Sequence, residues 1–419
     1  MKKESGRSDA TACVKCGTCN TLCPVYGVTG NEAHTPRGKQ HLVSRTEKHT
    51  ISAHYGDIFS RCLLCGACRD ACPRGLDTPE LVVEARSGLP KLAKGSLLKY
   101  VSRKALVRPT LLAGLARLGS AAARLGELLP AESGLRLRLE GFTGEILEPP
   151  PAGYAAGLRA KAAARDDRQA SGPEPETAYF IGCLANHLQP EIAGATQSLV
   201  VAATGAEAEV PLEQTCCGMA AVAAGRVDEA RDLARKNIAA FENNGLPILA
   251  SCSSCYYQLM SYRTLLADDP DWRQRAVRFA GRVREFSSFF LERFSADRGQ
   301  LLQAAAGERV FYHDPCHLRF THRITREPRE LLRLLPSLEL EELPAGPRCC
   351  GQGGLFQLAH PDLALQVRQK LLDEFGELAA QTVLTSCSGC LLQWKQGLAA
   401  CSGSGRAEHL AVFLAKHLH

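Results

Sequence analysis

Four short apolar runs stand out in the second half of the chain: Ala178 to Ile181, Pro247 to Ala250, Arg309 to Tyr312 and Thr382 to Thr385. Each leads into a cysteine, so each is read as a strand that ends in a cysteine loop. Helical periodicity follows or intervenes, as in Val227 to Glu242 and Pro361 to Phe375. Strands alternating with helices predict an α/β arrangement with largely parallel strands. In such folds sites collect at the carboxyl ends of the strands. Earlier in the chain Leu111, Leu115, Leu118, Ala122, Leu125 and Leu129 recur at spacings of three and four, one apolar helical face. Pro109 separates this helix from a shorter one around Leu97 to Val107. Thr35 and Pro36 read as the N-cap and first residue of another helix. No run of 18 uncharged apolar residues occurs, which excludes a membrane-spanning helix.

Composition sharpens this outline. With 419 residues, 45% hydrophobic and 22% charged, the chain is an ordinary folded protein of two or three domains. Its charge is uneven. From Arg86 to Gly126 there are nine basic residues (Arg86, Lys91, Lys94, Lys99, Arg103, Lys104, Arg108, Arg117 and Arg124) and no acid. Against a total of +6, the remainder sums to about −3. A basic amphipathic helix suits an anionic membrane surface, an acidic partner, or simple packing on its own protein with solvated Lys and Arg. It lacks interleaved aromatics, so nucleic-acid binding is not expected. Pro149 to Glu176 has linker composition, and a fresh domain is expected near Thr177. Met1 to Ala10 is polar, so no secretory signal is read.

Cysteine is the outlier, with 19 residues. In a chain this long without an export signal, clustered thiols point to metal in a reducing cytosol rather than to disulfides. Eight lie between Cys13 and Cys72, and eleven between Cys183 and Cys401. The first block reads Cys13-x2-Cys16-x2-Cys19-x3-Cys23-Pro24, then Cys62-x2-Cys65-x2-Cys68-x3-Cys72-Pro73. This is the run of bacterial two-cluster ferredoxins. A [4Fe–4S] cube takes three thiolates from one tight loop. The fourth comes from the other motif. Cluster one is therefore expected on Cys13, Cys16, Cys19 and Cys72, and cluster two on Cys62, Cys65, Cys68 and Cys23. Each Pro is expected to stop a local helix, and Gly17 and Gly66 to allow a tight turn. Zinc modules favour isolated CxxC pairs, so two complete runs favour iron–sulfur. The 38 residues between the runs suggest a helical ferredoxin domain of the kind found in respiratory complexes. Arg37, Lys39 and His41 are read as surface residues of its helix, with tuning of a cluster as the other option.

The second block is an internal repeat. Cys183, Cys216, Cys217, Cys252 and Cys255 return as Cys316, Cys349, Cys350, Cys387 and Cys390, at offsets of 133 residues for the first three and 135 for the last two. Each half carries Cys-Cys-Gly and then Cys-x2-Cys. Gly351-Gln-Gly353-Gly354 lacks a full dinucleotide fingerprint, so no flavin or NAD is expected on this chain. His313, Asp314 and His317 flank Cys316, and a plain turn at Asp314-Pro315 is the simpler reading.

These motifs resemble the cysteine-rich CCG domain family, which includes subunits of heterodisulfide reductase and of anaerobic glycerol-3-phosphate dehydrogenase. The order of parts, with Ala12-Cys-Val-Lys-Cys-Gly17, Pro36-Arg37-Gly38 and Arg61-Cys62-Leu63, resembles the glycolate oxidase iron–sulfur subunit family over the whole chain. The resemblance implies an α+β multidomain protein: a helical two-cluster ferredoxin domain followed by a pseudo-twofold repeat of two α/β CCG domains. The expected boundaries are 1–88 for the ferredoxin domain, 89–170 for the basic connector and linker, and 171–305 and 306–419 for the CCG domains. It implies one or two further iron–sulfur clusters, of non-cubane [4Fe–4S] type in some relatives, on the two five-cysteine sets. Gly218 and Gly351 would leave room for the inorganic core, and Cys401 alone has no role. It implies an iron–sulfur subunit of an oxidoreductase that relays electrons from an FAD-containing 2-hydroxyacid (glycolate or lactate) dehydrogenase subunit to a quinone or other carrier. The alternative is a heterodisulfide-reductase-like subunit that reduces a disulfide at a non-cubane cluster. The expected location is the cytoplasm, with a peripheral place on the inner face of the membrane left open.

Overall fold

The computed structural model describes residues 12–45, 52–89, 100–104, 153–164, 173–296, 302, 307–401 and 405–418. The fold is α+β: a helical N-terminal module, then two parallel sheets wrapped by helices. The Leu111–Leu129 stripe lies outside the described residues.

The first sheet holds β1 (Ala178–Phe180), β2 (Ile248–Ala250) and β3 (Val283–Glu285) in the order β1-β2-β3. The second holds β4 (Arg309–Tyr312), β5 (Glu339–Glu341), β6 (Thr382–Thr385) and β7 (Arg406–His409) in the order β5-β4-β6-β7. All pairings are parallel, for example Phe180 opposite Ala250 and Val310 opposite Thr382. In the first half a single parallel bridge, Ala178 to Glu209, stands where β5 stands in the second. The two halves therefore share one strand order. Parallel strands buried on both faces need continuous apolar sequence, and β1, β2 and β6 are wholly buried.

The halves interlock. Helix Leu410–Lys416, which follows β7, packs on helix Pro190–Thr204 of the first half. Helix Phe286–Ala296, which follows β3, packs on Glu327–Arg333 of the second. One continuous apolar core runs through both sheets, from Ile192 and Phe241 to Phe375 and Trp394. The junction is polar where the cysteine loops meet: Ser253 N–H donates to Ser386 O at 2.8 Å.

Two stretches differ from expectation. Tyr154–Ala164, read as linker, is a helix held to the first half, with Ala155 N–H donating to Asn186 Oδ1 at 2.8 Å. The described piece of the connector, Tyr100 to Lys104, is helical and bound to the protein itself. Arg103 is 7% exposed and pairs with Glu229 at 3.1 Å, beside Lys104 at 3.3 Å.

The helical module docks chiefly on the second half. Val25 and Leu63 pack with Phe356 and Ala364. Arg69 Nη2 donates to Thr321 Oγ1 at 2.6 Å, and Lys370 Nζ to Gly27 O at 2.6 Å. Arg86 clamps the module from below. Its guanidinium donates to the carbonyls of Phe59, Ser60 and Cys62, and at 2.7 Å to Ala223 O of the first half. A Cβ on Gly353 would lie 2.5 Å from Leu63 Cδ2, so this glycine stretch serves close packing on the cysteine loop.

Candidate metal centres

The two ferredoxin runs fold alike. Lys15 and Leu64 take φ of 58° and 55°, and Gly17 and Gly66 both take 84°. These left-handed turns let each loop coil tightly around its cysteines. A short helix follows each, Thr18–Thr21 and Ala67–Asp70, and the two pack together. Pro24 is the first residue of the next helix, Pro24–Thr29, rather than a simple stop. Thr35 caps Pro36–Arg45, its Oγ1 accepting from Gly38 N–H at 2.9 Å.

Surroundings separate the runs. A cavity of about 30 Å³ is lined by Cys23, Cys62, Cys65 and Cys68, with Val25, Leu63, Thr78 and Pro79. Cys23 therefore lies beside the three thiols of the second run rather than with those of its own. No carboxylate lines this cavity. Four thiols with no carboxylate among the described residues around them fit an iron–sulfur cluster. Burial pushes the Cys65 and Cys68 thiols up, and neighbouring thiols add to it. Lys39 also lines the cavity. It is 2% exposed, and its ammonium donates to His34 O. Burial lowers its pKa, opposed by the negative charge of Cys62, Cys23 and Cys68. The surface reading of Lys39 fails, because this helix turns that residue inward. His34, in the same wall, is pushed down to about 4 by burial and by Arg61 and Lys39.

Cys13, Cys16 and Cys19 form the other group and interact through their charges. Cys16 is exposed, and its neighbour Val14 is 62% exposed. Cys72 directly follows the Ala67–Asp70 segment, one residue beyond its cap. Arg37 pairs with Glu32 at 2.7 Å and donates to Lys15 O at 3.1 Å, while His41 is exposed.

The ten repeat cysteines sit at the carboxyl ends of β1, β2, β4 and β6 and in the Cys-Cys-Gly loops. In the first half neighbouring thiols interact in the order Cys183, Cys216, Cys217, Cys255, Cys252. In the second they run Cys316, Cys349, Cys350, Cys390, Cys387, with Cys350 and Cys390 sulfurs 3.3 Å apart. Cys252 and Cys387 join the two lines. Donation from Cys183 and Cys217 holds Cys216 well below its usual value, and donation from Cys349 and Cys390 does the same for Cys350. A buried all-sulfur cluster suits soft metal. Cys65 of the helical module lies close enough to Cys316 for their charges to couple. All 19 cysteines are free thiols, and Cys401 is exposed and apart.

Neighbouring groups have plain roles. Asp314 binds Arg329 through both oxygens at 2.8 Å. His317 stacks on Tyr257 with ring centres 4.4 Å apart, its Nδ1 3.2 Å from Ser254 Oγ, and burial pushes it down to about 4. Ser254 lies 3.4 Å from Cys387 Sγ, a contact that no motif announced. A Cβ on Gly351 would meet Ala364 O at 2.7 Å, so this glycine admits a helix closely, while Gly218 takes φ 92° and a Cβ there would make ordinary contact with Ala230.

This arrangement defines an iron–sulfur subunit of an oxidoreductase. Residues 9–76 match the 4Fe-4S dicluster domain family, and 177–260 and 310–395 each match the cysteine-rich domain family. The chain is 31% identical to the probable glycolate oxidase iron-sulfur subunit of Bacillus subtilis, over 99% of this chain and 95% of that protein. It is 26% identical to the glycolate oxidase iron-sulfur subunit of Escherichia coli, over 90% and 88%. It is 24% identical to a subunit of the fumarate reductase (CoM/CoB) of Methanothermobacter marburgensis, over 92% and 68%. The chain belongs to the glycolate oxidase iron–sulfur subunit family. Among the described residues no helix is long and apolar enough to cross a membrane.

Proposed function

We propose that this chain carries electrons, one at a time, from an FAD-containing 2-hydroxyacid dehydrogenase subunit to a quinone or similar carrier, with glycolate as the leading substrate and lactate next. The observation that carries the reading is the succession of thiol groups through the chain. It starts near the surface at Cys16, passes the cavity of Cys23, Cys62, Cys65 and Cys68, and reaches Cys316 and the repeat halves. Iron–sulfur clusters supply one-electron storage and release when bound. Cys13, Cys16, Cys19 and Cys72 would hold one [4Fe–4S] cluster, and Cys62, Cys65, Cys68 and Cys23 a second. The five-cysteine sets would hold one or two more, in which adjacent cysteines can serve neighbouring irons. Leu63, Val25, Phe356 and Ala364 exclude water between the second site and Cys349. Lys39 places a fixed positive charge beside the second site, which favours an added electron.

The test is anaerobic reduction of the purified chain by glycolate, with and without a flavoprotein dehydrogenase. Bleaching of the iron–sulfur absorbance only when the flavoprotein is present is the expected result. Failure to bleach with both present overturns it. Disulfide reduction by the isolated chain with an artificial donor would instead favour the catalytic reading, which the two complete five-cysteine sets keep open.

A further inference from the structure

The repeat halves follow one plan, and the plan isolates a difference. Tyr179 and Tyr312 hold equivalent places, their hydroxyls bonded to Ser251 at 2.8 Å and Ser386 at 2.9 Å. The next residue is Phe180 in one half and His313 in the other. Each is 1% exposed. Phe180 sits beside Cys255: a Cβ built on Gly182 would lie 3.7 Å from Phe180 Cε1 and 3.0 Å from Cys255 Sγ. The counterpart of Cys255 is Cys390, and beside it stands an imidazole.

In the second half a ring nitrogen of His313 and the sulfurs of Cys350 and Cys390 all lie within 4.8 Å of one another. Those sulfurs are 3.3 Å apart, close enough for both to reach one metal ion, since metal–thiolate bonds are about 2.3 Å. The His313 ring already interacts with the Cys350 thiol, and its Nε2 is buried with no hydrogen-bond partner among the described residues. An unsatisfied buried nitrogen is costly and calls for an explanation. Packing does not supply one, because Phe180 fills the same place in the first half with an apolar ring.

We infer that His313 is a metal ligand, joining Cys350 and Cys390 in a mixed imidazole–thiolate iron site in the second half, while the first half is all-thiolate. This rests on the reading that the second half binds iron. An imidazole ligand is neutral where a thiolate is anionic, so wherever it takes the place of a thiolate on an iron the centre carries less negative charge and accepts an electron more readily. The second centre is also the one that Cys65 approaches.

The experiment compares the full wild-type chain with His313→Phe, which copies the first half. Both are purified anaerobically with iron-57 and with nitrogen-15 histidine. Mössbauer spectra, which register every iron, are expected to differ in one iron subsite. Pulsed EPR is expected to show a nitrogen coupling that responds to the label in the wild type and is absent from the variant. Superimposable Mössbauer spectra overturn the inference while leaving iron in the second half intact. If Cys390→Ser binds as much iron as the wild type, with unchanged spectra, the second half holds no iron and the wider reading fails with it. Should His313→Phe not fold, His313→Gln carries the same comparison.

Discussion

The two ferredoxin runs have the same spacing, the same left-handed turns and the same short helices, yet one is more open to solvent than the other. Cys16 is open to solvent, whereas Cys23, Cys62, Cys65 and Cys68 line an inner cavity with a buried lysine. Motif chemistry is therefore shared, and environment divides the labour. Exposure suits exchange with a partner. Enclosure between Lys39 and the second repeat half suits onward transfer within the chain.

Serine substitutions test this division most sharply. Cys68→Ser and Cys16→Ser are each expected to lose about four irons per chain. Only Cys68→Ser should also loosen the docked module, seen as a fall in melting temperature and faster hydrogen exchange in residues 53–87. Equal destabilisation by both would erase the contrast. Next comes Arg86→Met, which strands the carbonyls of Phe59, Ser60, Cys62 and Ala223. A loss of about 3 kcal/mol in denaturant unfolding is expected. A neutral result would mean that the apolar contacts of Leu63 and Phe356 suffice for docking.

Lys39→Met removes a positive charge close to Cys62, Cys23 and Cys68. Reduction of the enclosed site then becomes harder, by on the order of 50–100 mV, with the exposed site unmoved. EPR-monitored redox titration separates the two. The smallest effect is expected from Arg37→Ala. Its partner Glu32 is half exposed, so its loss should leave the melting temperature in thermal unfolding almost unchanged.

Much of this was legible in the chain. β1, β2, β4 and β6 are apolar because both faces are covered, so they showed as runs. β3, β5 and β7 carry Arg284, Glu339, Glu341, Arg406 and Glu408, and pass for loops because they lie at sheet edges. The place of Cys23 beside the thiols of the second run is the one that the rule of spacing leads to expect. The inward turn of Lys39 did not, because composition cannot tell which face of a polar helix meets a neighbour. Tyr154–Ala164 was hidden by the opposite fault: its alanines suit a helix, but its flanks read as linker.

The Ser253–Ser386 junction has a consequence for ancestry. The halves meet at their own cysteine loops, with Cys252 against Cys387, and each lends a terminal helix to the other. A single half would leave its Cys-x2-Cys loop and the flank under the lent helix uncovered. A progenitor with one such unit would have had to work as a symmetric pair. Fusion of two copies freed one of them to change at a position such as Phe180 or His313 without altering both at once.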